Sequence, residues 1–382
     1  MMKKYDLIVV SAEPFPNGHA ATNRMLSYLT GLAQRKDILY LCLASPSSSD
    51  SPNKKKEGCF SGIYFQYISN PIINHHRNSL FRALSLFWRH CLIFILLILF
   101  YKAKAVLIYS SKRQLTTIVQ VACKIRATPL YRDITELVGY NYSHNKKDIA
   151  KMKNNLASYS GLITISQGIY NYFDNIPIEK KFLLPVLVDI SRFEGHKDSE
   201  NYFFCCSGAN LERDGLLDSL NGFLLFNNTT KGYTFEIATY LDLTNPYHIK
   251  CKEIIDSHSD VIHYLGSLPS YEIPSKMSHA TALMLTPHSN YQTKGFPTKL
   301  GEYLASGTPT ICSSTDDLMS VVSCKTAYIV KPNAPDMIAE TLQLIVNNPE
   351  EASIIGSNGR QLMINKYTIS SYEERLINFL KI

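Results

Sequence analysis

The chain has 382 residues, 45% hydrophobic and 19% charged, a length that suits two domains and a composition that excludes disorder, coiled coils, collagen and solenoid repeats. Its net charge of +7 hides a division: residues 1–195 carry 25 Lys and Arg against 12 Asp and Glu, and residues 196–382 carry 14 against 20. A half at +13 joined to a half at −6 is unlike a nucleic-acid binder and suits a first half that faces an anionic surface or substrate, a solvated face being the plain alternative.

Along the chain, Met1–Lys4 and the short apolar run Tyr5–Val10 are followed by Glu13-Pro14, which is not the pattern of a signal peptide. Short β-branched runs then alternate with helical patterns. Strands are expected at Leu7–Val10, Leu39–Leu43, Ile63–Tyr67, Ala105–Tyr109, Pro129–Tyr131, Gly161–Ile165 and Phe182–Leu184, with helices at Thr22–Gln34 and Thr116–Arg126. Ser45–Lys56 reads as a solvated loop. Cys91–Phe100 (CLIFILLILF) is about half of the roughly 20 residues that span a bilayer. With Arg77, Arg82 and Arg89 before it and Lys102 and Lys104 after, it reads either as a surface anchor or as a buried helix feeding the next strand, the second being favoured.

The polar stretch Pro185–Asn201 marks the expected boundary. Beyond it, strands are expected at Tyr202–Cys206, Thr234–Thr239, Val261–Tyr264, Ala282–Leu285, Thr308–Cys312 and Ala327–Ile329. Helices are expected at Leu216–Phe226, Tyr271–Ser278, Thr298–Ser306, Ala334–Asn347 and Glu351–Lys366. The alternation calls for crossover connections and parallel sheets: an α/β protein with a first domain over 1–190, a second over 200–365, and a last helix in 366–382 that packs back on the first. Two doubly wound sheets facing across a cleft place the ligand at the carboxyl ends of their strands. The nine cysteines form no Cys-x-x-Cys pair and mostly lie in apolar runs, so they read as buried reduced thiols in a cytoplasmic protein.

Two nucleotide motifs are missing, the Gly-x4-Gly-Lys-Ser/Thr phosphate loop and a Gly-x-Gly-x-x-Gly turn after the first strand, which argues against P-loop phosphoryl transfer and dinucleotide oxidoreduction. No Asp-x-Asp pair or His cluster argues for a metal. What stands out is Lys294–Ile311 (KGFPTKLGEYLASGTPTI): a turn, a helix opened by Pro297, and a Gly307-Thr308-Pro309 break into a strand. The first N–H groups of that helix, at Thr298, Lys299 and Leu300, make a candidate anion site, and Glu302 one turn on is placed to accept hydrogen bonds from sugar hydroxyls. An ordinary α/β helix with a solvated Glu explains the same residues about as well.

This stretch resembles the donor-binding signature of the group 1 retaining glycosyltransferases, matching it at Gly295, Phe296, Glu302, Ala305, Gly307 and Pro309. The resemblance implies a GT-B fold, two Rossmann-like domains facing across a cleft, and transfer of a sugar from a nucleotide-sugar with retained configuration and no metal or other cofactor. Tyr202–Gly215 resembles the family's strand and glycine corner that hold the donor diphosphate, which implies roles for Gly208 and the basic Arg213. Ile262–Gly266 resembles the segment flanking the base, ending at Gly266, and Phe15–Leu32 resembles the first-domain glycine loop, where Gly18 permits close approach of donor or acceptor.

Two departures bear on activity. Lys294 stands where the family has Glu, which suits an acidic donor sugar or an altered activity. The common first-domain His is absent, and PLYRDITE offers Asp133 and Glu136, either as groups that orient an acceptor hydroxyl or as a helix cap and a first-turn carboxylate. The basic first half and Cys91–Phe100 favour a lipid-linked saccharide acceptor at the inner face of the plasma membrane, in bacterial surface polysaccharide assembly. The rivals are a nucleotide-sugar epimerase, a phosphorylase (whose pyridoxal lysine motif is not seen) and a catalytically silent nucleotide-sugar-binding module.

Overall fold

A computed structural model describes the chain except residues 1, 19, 45–51, 69–78, 136–154, 157, 175–179, 198, 208–210, 270 and 289–297. It divides into two compact units, one of Met1–Leu187 with Ile369–Ile382 and one of Val188–Thr368.

Unit 1 is built on an eight-stranded sheet of β1 (Lys3–Ser11), β2 (Ile38–Cys42), β3 (Glu57–Phe60), β4 (Ile63–Tyr67), β5 (Tyr101–Tyr109), β6 (Leu130–Ile134), β7 (Gly161–Thr164) and β8 (Lys181–Leu183). Its order is β3-β4-β2-β1-β5-β6-β7-β8. The pairs are parallel except β3–β4, an edge hairpin that the sequence pattern does not reveal. The helices of this unit are α1 (Ala20–Leu32), α2 (Ser79–Ile95), α3 (Arg113–Ile125), the short α4 (Gln167–Tyr172) and the last helix of the chain, Glu373–Leu380. Strands buried on both faces must be apolar throughout, and Leu7–Val10 and Ile38–Cys42 are fully so. One core gathers Leu7, Val9, Tyr28, Tyr40, Leu107 and Tyr131 with Leu376, Ile377 and Leu380 of the last helix. Gly31 lies against Ile369 so closely that a Cβ there would sit 2.5 Å from that side chain.

Unit 2 is a six-stranded parallel sheet of β9 (Glu200–Cys206), β10 (Thr234–Ala238), β11 (Ile262–Gly266), β12 (Ala280–Leu285), β13 (Thr310–Ser313) and β14 (Tyr328–Val330), in the order β11-β10-β9-β12-β13-β14. Between and after the strands come α5 (Leu211–Asp214), α6 (Leu216–Thr229), α7 (Pro246–Ser257), α8 (Ile273–His279), α9 (Thr298–Ser306), α10 (Asp316–Met319), α11 (Pro335–Asn347) and α12 (Pro349–Lys366). The chain builds outward from β9 through β10 to β11, then returns to place β12 on the other side of β9. The order therefore reverses between β9 and β12, and a doubly wound sheet opens a crevice at the carboxyl ends of such a pair.

Two expectations change. Cys91–Phe100 is not a wholly buried helix: α2 runs from Ser79 to Ile95, a π turn covers Leu96–Phe100, whose Leu99 and Phe100 are exposed, and β5 starts directly at Tyr101. No helix among the described residues is long and apolar enough to cross a membrane. Of the nine free cysteines, five are buried, Cys91 and Cys206 are half-buried, and Cys59 and Cys324 are exposed.

Candidate functional site

The crevice of unit 2 is assembled from the segments that follow β9 and β12. After β9 the chain passes Ser207 into α5, a single turn carrying Arg213 and Asp214, and then Gly215 opens α6 with a left-handed φ of +74°. A Cβ at Gly215 would lie 1.7 Å from the carbonyl oxygen of Thr286, the residue after β12, so only glycine lets the two loops meet. They are then stitched together: Thr286 Oγ1 donates to the Gly215 carbonyl at 3.0 Å and lies 2.9 Å from Ser219 Oγ.

Onto this corner comes α9. Leu300, Tyr303, Leu304 and Ala305 are buried, an i, i+3, i+4, i+5 face that anchors the helix to the sheet. The Tyr303 hydroxyl accepts from the Cys206 N–H at 2.7 Å and donates to the Cys206 carbonyl at 3.2 Å, tying the helix to the last residue of β9. On its open side α9 presents Lys299 and, one turn on, Glu302. Lys299 Nζ lies 3.0 Å from Asp214 Oδ2, Arg213 Nε lies 3.1 Å from Asp214 Oδ1, and Ser207 Oγ donates to Asp214 at 2.7 Å. Burial alone would raise the Asp214 carboxyl, but Lys299, then Arg213 and the Ser207 hydrogen bond, outweigh it and hold the carboxyl below its ordinary range. Glu302 Oε1 accepts from Arg192 at 2.7 Å, in a partly exposed pair.

The end of α9 is fixed as firmly. Gly307 takes φ +78°, and its carbonyl lies so near α12 that a Cβ on Gly356 would be 2.2 Å from it. The Arg360 guanidinium donates to the carbonyls of Ala305 and Phe193, a cation at a helix C-terminus. Beyond β12, His288 Nδ1 lies 3.4 Å from Asp218 and bonds the Asn333 side chain. Burial raises the Asp218 carboxyl against the opposing pull of His288.

Of the residues singled out in the sequence, Arg213, Lys299, Leu300 and Glu302 thus share one corner, Leu300 through its backbone because its side chain is buried. Thr298 begins α9. Gly266 ends β11 at φ +68° beside Ala238, on the flank of the same sheet edge. Gly208, Lys294, Gly295, Phe296 and Pro297 lie outside the described residues, as does Glu136. Sequence reasoning missed Asp214, although it directly follows Arg213, and it missed Arg192, which lies 110 residues from Glu302 and carries no local signal.

In unit 1, Asp133 requires a correction. It caps no helix but lies in β6, and its carboxylate is consumed inside the unit: Arg24 Nε and Nη2 donate to its two oxygens at 3.1 Å each, and the Tyr28 hydroxyl donates at 3.1 Å. Arg24 also donates to the carbonyls of Leu184 and Pro185. With both partners buried, the carboxylate is a structural clamp, not a group turned toward an acceptor. The close approach that Gly18 permits is internal: a Cβ there would lie 2.1 Å from Thr22 Oγ1, which donates to the Pro14 carbonyl. The loop before Gly18 is pinned by Tyr67, whose hydroxyl bonds both backbone groups of Phe15, and by Asn53, whose side chain bonds both backbone groups of Asn17.

Residues 218–362 match the family pattern described as glycosyl transferases group 1. No curated protein matches by sequence. Among solved structures, sucrose-phosphate synthase from Thermosynechococcus elongatus superposes with a TM-score of 0.72 at 14% identity, over 98% of each chain. HepE from Anabaena, solved with UDP-glucose, gives 0.73 at 12% identity over 99% of each chain. A UDP-forming alpha,alpha-trehalose-phosphate synthase from Burkholderia vietnamiensis gives 0.64 at 10% identity, over 98% of this chain and 99% of its own. At such identities the likeness shows the fold, GT-B with two Rossmann-like α/β units, and the group 1 match falls on the unit that holds the site.

Proposed function

We propose that this chain, a GT-B protein with a group 1 second unit, is a retaining glycosyltransferase that moves a sugar from a nucleotide-sugar to a hydroxyl of a lipid-linked saccharide, in the assembly of a bacterial surface polysaccharide. The observation that carries the reading is the convergence of Arg213 and Lys299 on Asp214 at the β9/β12 reversal, with Glu302 one turn along the same helix. Similar folds solved with UDP-glucose support a nucleotide-sugar as the donor class.

In this reading the bond between the anomeric carbon and the diphosphate oxygen breaks while the acceptor oxygen bonds the same carbon, and the acceptor's proton passes to the leaving phosphate. Positive charge grows on the sugar ring and negative charge on the diphosphate. Arg213, Lys299 and the first amides of α9 would stabilise the latter, so no metal or other cofactor is assigned. Glu302 would accept hydrogen bonds from the ribose hydroxyls through the carboxylate oxygen that Arg192 does not hold. Lys294 in place of the family's Glu suits an acidic donor sugar, and Glu136 is the acceptor-side candidate. The enzyme would work in the cytoplasm, at the inner face of the plasma membrane.

Thermal unfolding across a panel of nucleotide-sugars, paired with a turnover assay on those that bind, tests the reading. A donor at 100 times its dissociation constant stabilises the fold by about 2.7 kcal/mol. Full activity in Glu302→Ala would remove the donor-site assignment. Asp214 also gives weight to a second reading, a silent nucleotide-sugar-binding module, since it pairs with both cations and offsets one of their two charges; such a module binds a donor without consuming it.

A further inference from the structure

Helix α2 and the π turn after it bury one face and turn another to water. His90, Ile93 and Leu97 point into unit 1, whereas Leu84, Phe87, Trp88, Ile95, Leu99 and Phe100 are exposed, Phe87 by 67%, Leu99 by 61% and Trp88 by 60%. Leu84, Trp88, Ile95 and Leu99 recur near helical spacing, so these side chains form one stripe about 22 Å long at 1.5 Å per residue, with Phe87 at its side. Single exposed apolar side chains are ordinary, but five large ones on one helix face, continued by Phe100 at its end, mark a binding surface.

Charge identifies what binds there. From Gly58 to Arg132 the sequence has ten Lys and Arg and no Asp or Glu. That span contains α2, the π turn, β5 and α3, which packs against α2. Lys102, Lys112, Arg113, Lys124 and Arg126 are exposed. Among the described residues, Asp6 on neighbouring β1 is paired with Lys104 at 2.7 Å, and Glu57 is near enough to act on Tyr101 of β5. A second copy meeting this surface with the same surface would set like charge against like, and the excess of cations disfavours a basic partner. An anionic bilayer answers both features, with headgroup phosphates for the cations and an interfacial zone for aromatic rings.

We infer that the outward face of α2 and its π turn docks flat on an anionic lipid surface, with Phe87, Trp88, Leu99 and Phe100 entering the headgroup boundary and the basic side chains of residues 102–126 engaging lipid phosphate. The surface deepens the proposed use of a lipid-linked acceptor, and its test needs neither donor nor acceptor, so the docking and the transfer reaction stand or fall separately.

Trp88 is the chain's one tryptophan and reports directly on the patch. Its emission is followed as the full chain is titrated with vesicles of phosphatidylcholine containing phosphatidylglycerol, with vesicles of phosphatidylcholine alone, and with the mixed vesicles at raised salt. The expected result is a blue shift with co-sedimentation on the mixed vesicles, weakened by salt and absent on phosphatidylcholine alone. Phe87→Ser and Leu99→Ser, at exposed positions that leave the fold intact by circular dichroism, should each weaken partitioning about tenfold. Unchanged emission on mixed vesicles, equal binding to both vesicle types, or a shift that follows protein concentration without vesicles would each overturn the inference, the last in favour of self-association.

Discussion

Lys299 and Asp214 are 85 residues apart in the chain and 3.0 Å apart in the fold, and their ion pair closes the corner where the β9 and β12 loops meet. Replacing Asp214 with Asn leaves two cations without their counter-charge. The expected loss is about 1–3 kcal/mol, below the value for a wholly buried pair because Lys299 and Arg213 are partly solvated. Urea unfolding measures it. The pH dependence carries a definite sign. The folded-state pKa of Asp214 is depressed, so its contribution is complete above the ordinary carboxylate pKa and is lost as pH falls through the lower, folded value. Asp214→Asn should lack that part of the acid limb.

Glu302 and Arg192 form a partly exposed pair, which contributes little to stability. Glu302→Gln should therefore unfold within about 1 kcal/mol of the parent while the donor kcat/KM falls by roughly tenfold or more. Loss of stability in step with loss of activity would give the residue a structural role instead.

Gly215→Ala should be severe. Its Cβ would require the Thr286 carbonyl to move, and the backbone there is left-handed. A loss of about 3 kcal/mol or more is expected, read from the thermal or urea transition of unit 2.

The Arg24–Asp133 pair predicts an asymmetric pair of outcomes. Either Arg24→Met or Asp133→Asn strands a buried partner and should cost about 3–5 kcal/mol, whereas the double variant should lose less than the sum of the two. A double-mutant cycle by chemical denaturation checks this.

Thiol titration should show two fast groups, Cys59 and Cys324. Cys42, Cys123, Cys205, Cys251 and Cys312 have thiols pushed up to about 12 by burial and should react only on unfolding.

The parallel strands were legible because strands covered on both faces read as unbroken apolar runs, as in Leu7–Val10 and Ile38–Cys42. Helix α9 was legible at both ends, bounded by Pro297 and Gly307 as punctuation. The β3 hairpin was not, because Glu57, Cys59 and Phe60 are exposed on an edge and carry no alternating pattern. Helix α2 blurred for the opposite reason: it is apolar on its buried and its solvent faces alike, so periodicity could not mark its span. In the site, Lys299 and Glu302 announce themselves through local spacing, whereas the partners Asp214 and Arg192 are set by tertiary contacts that no window of sequence contains. Asp133 was misread for that reason, its cation lying 109 residues upstream.

The return of Ile369–Ile382 to unit 1 sets an order of completion during synthesis. Leu376, Ile377 and Leu380 fill a core whose other walls are laid down from residue 7 onward, so that core waits with a hydrophobic vacancy while all of unit 2 is translated. Unit 2 needs nothing made after Thr368 to close its own core. A chain ending at residue 368 and released from the ribosome should therefore have a protease-resistant second unit joined to a first that chaperones still recognise.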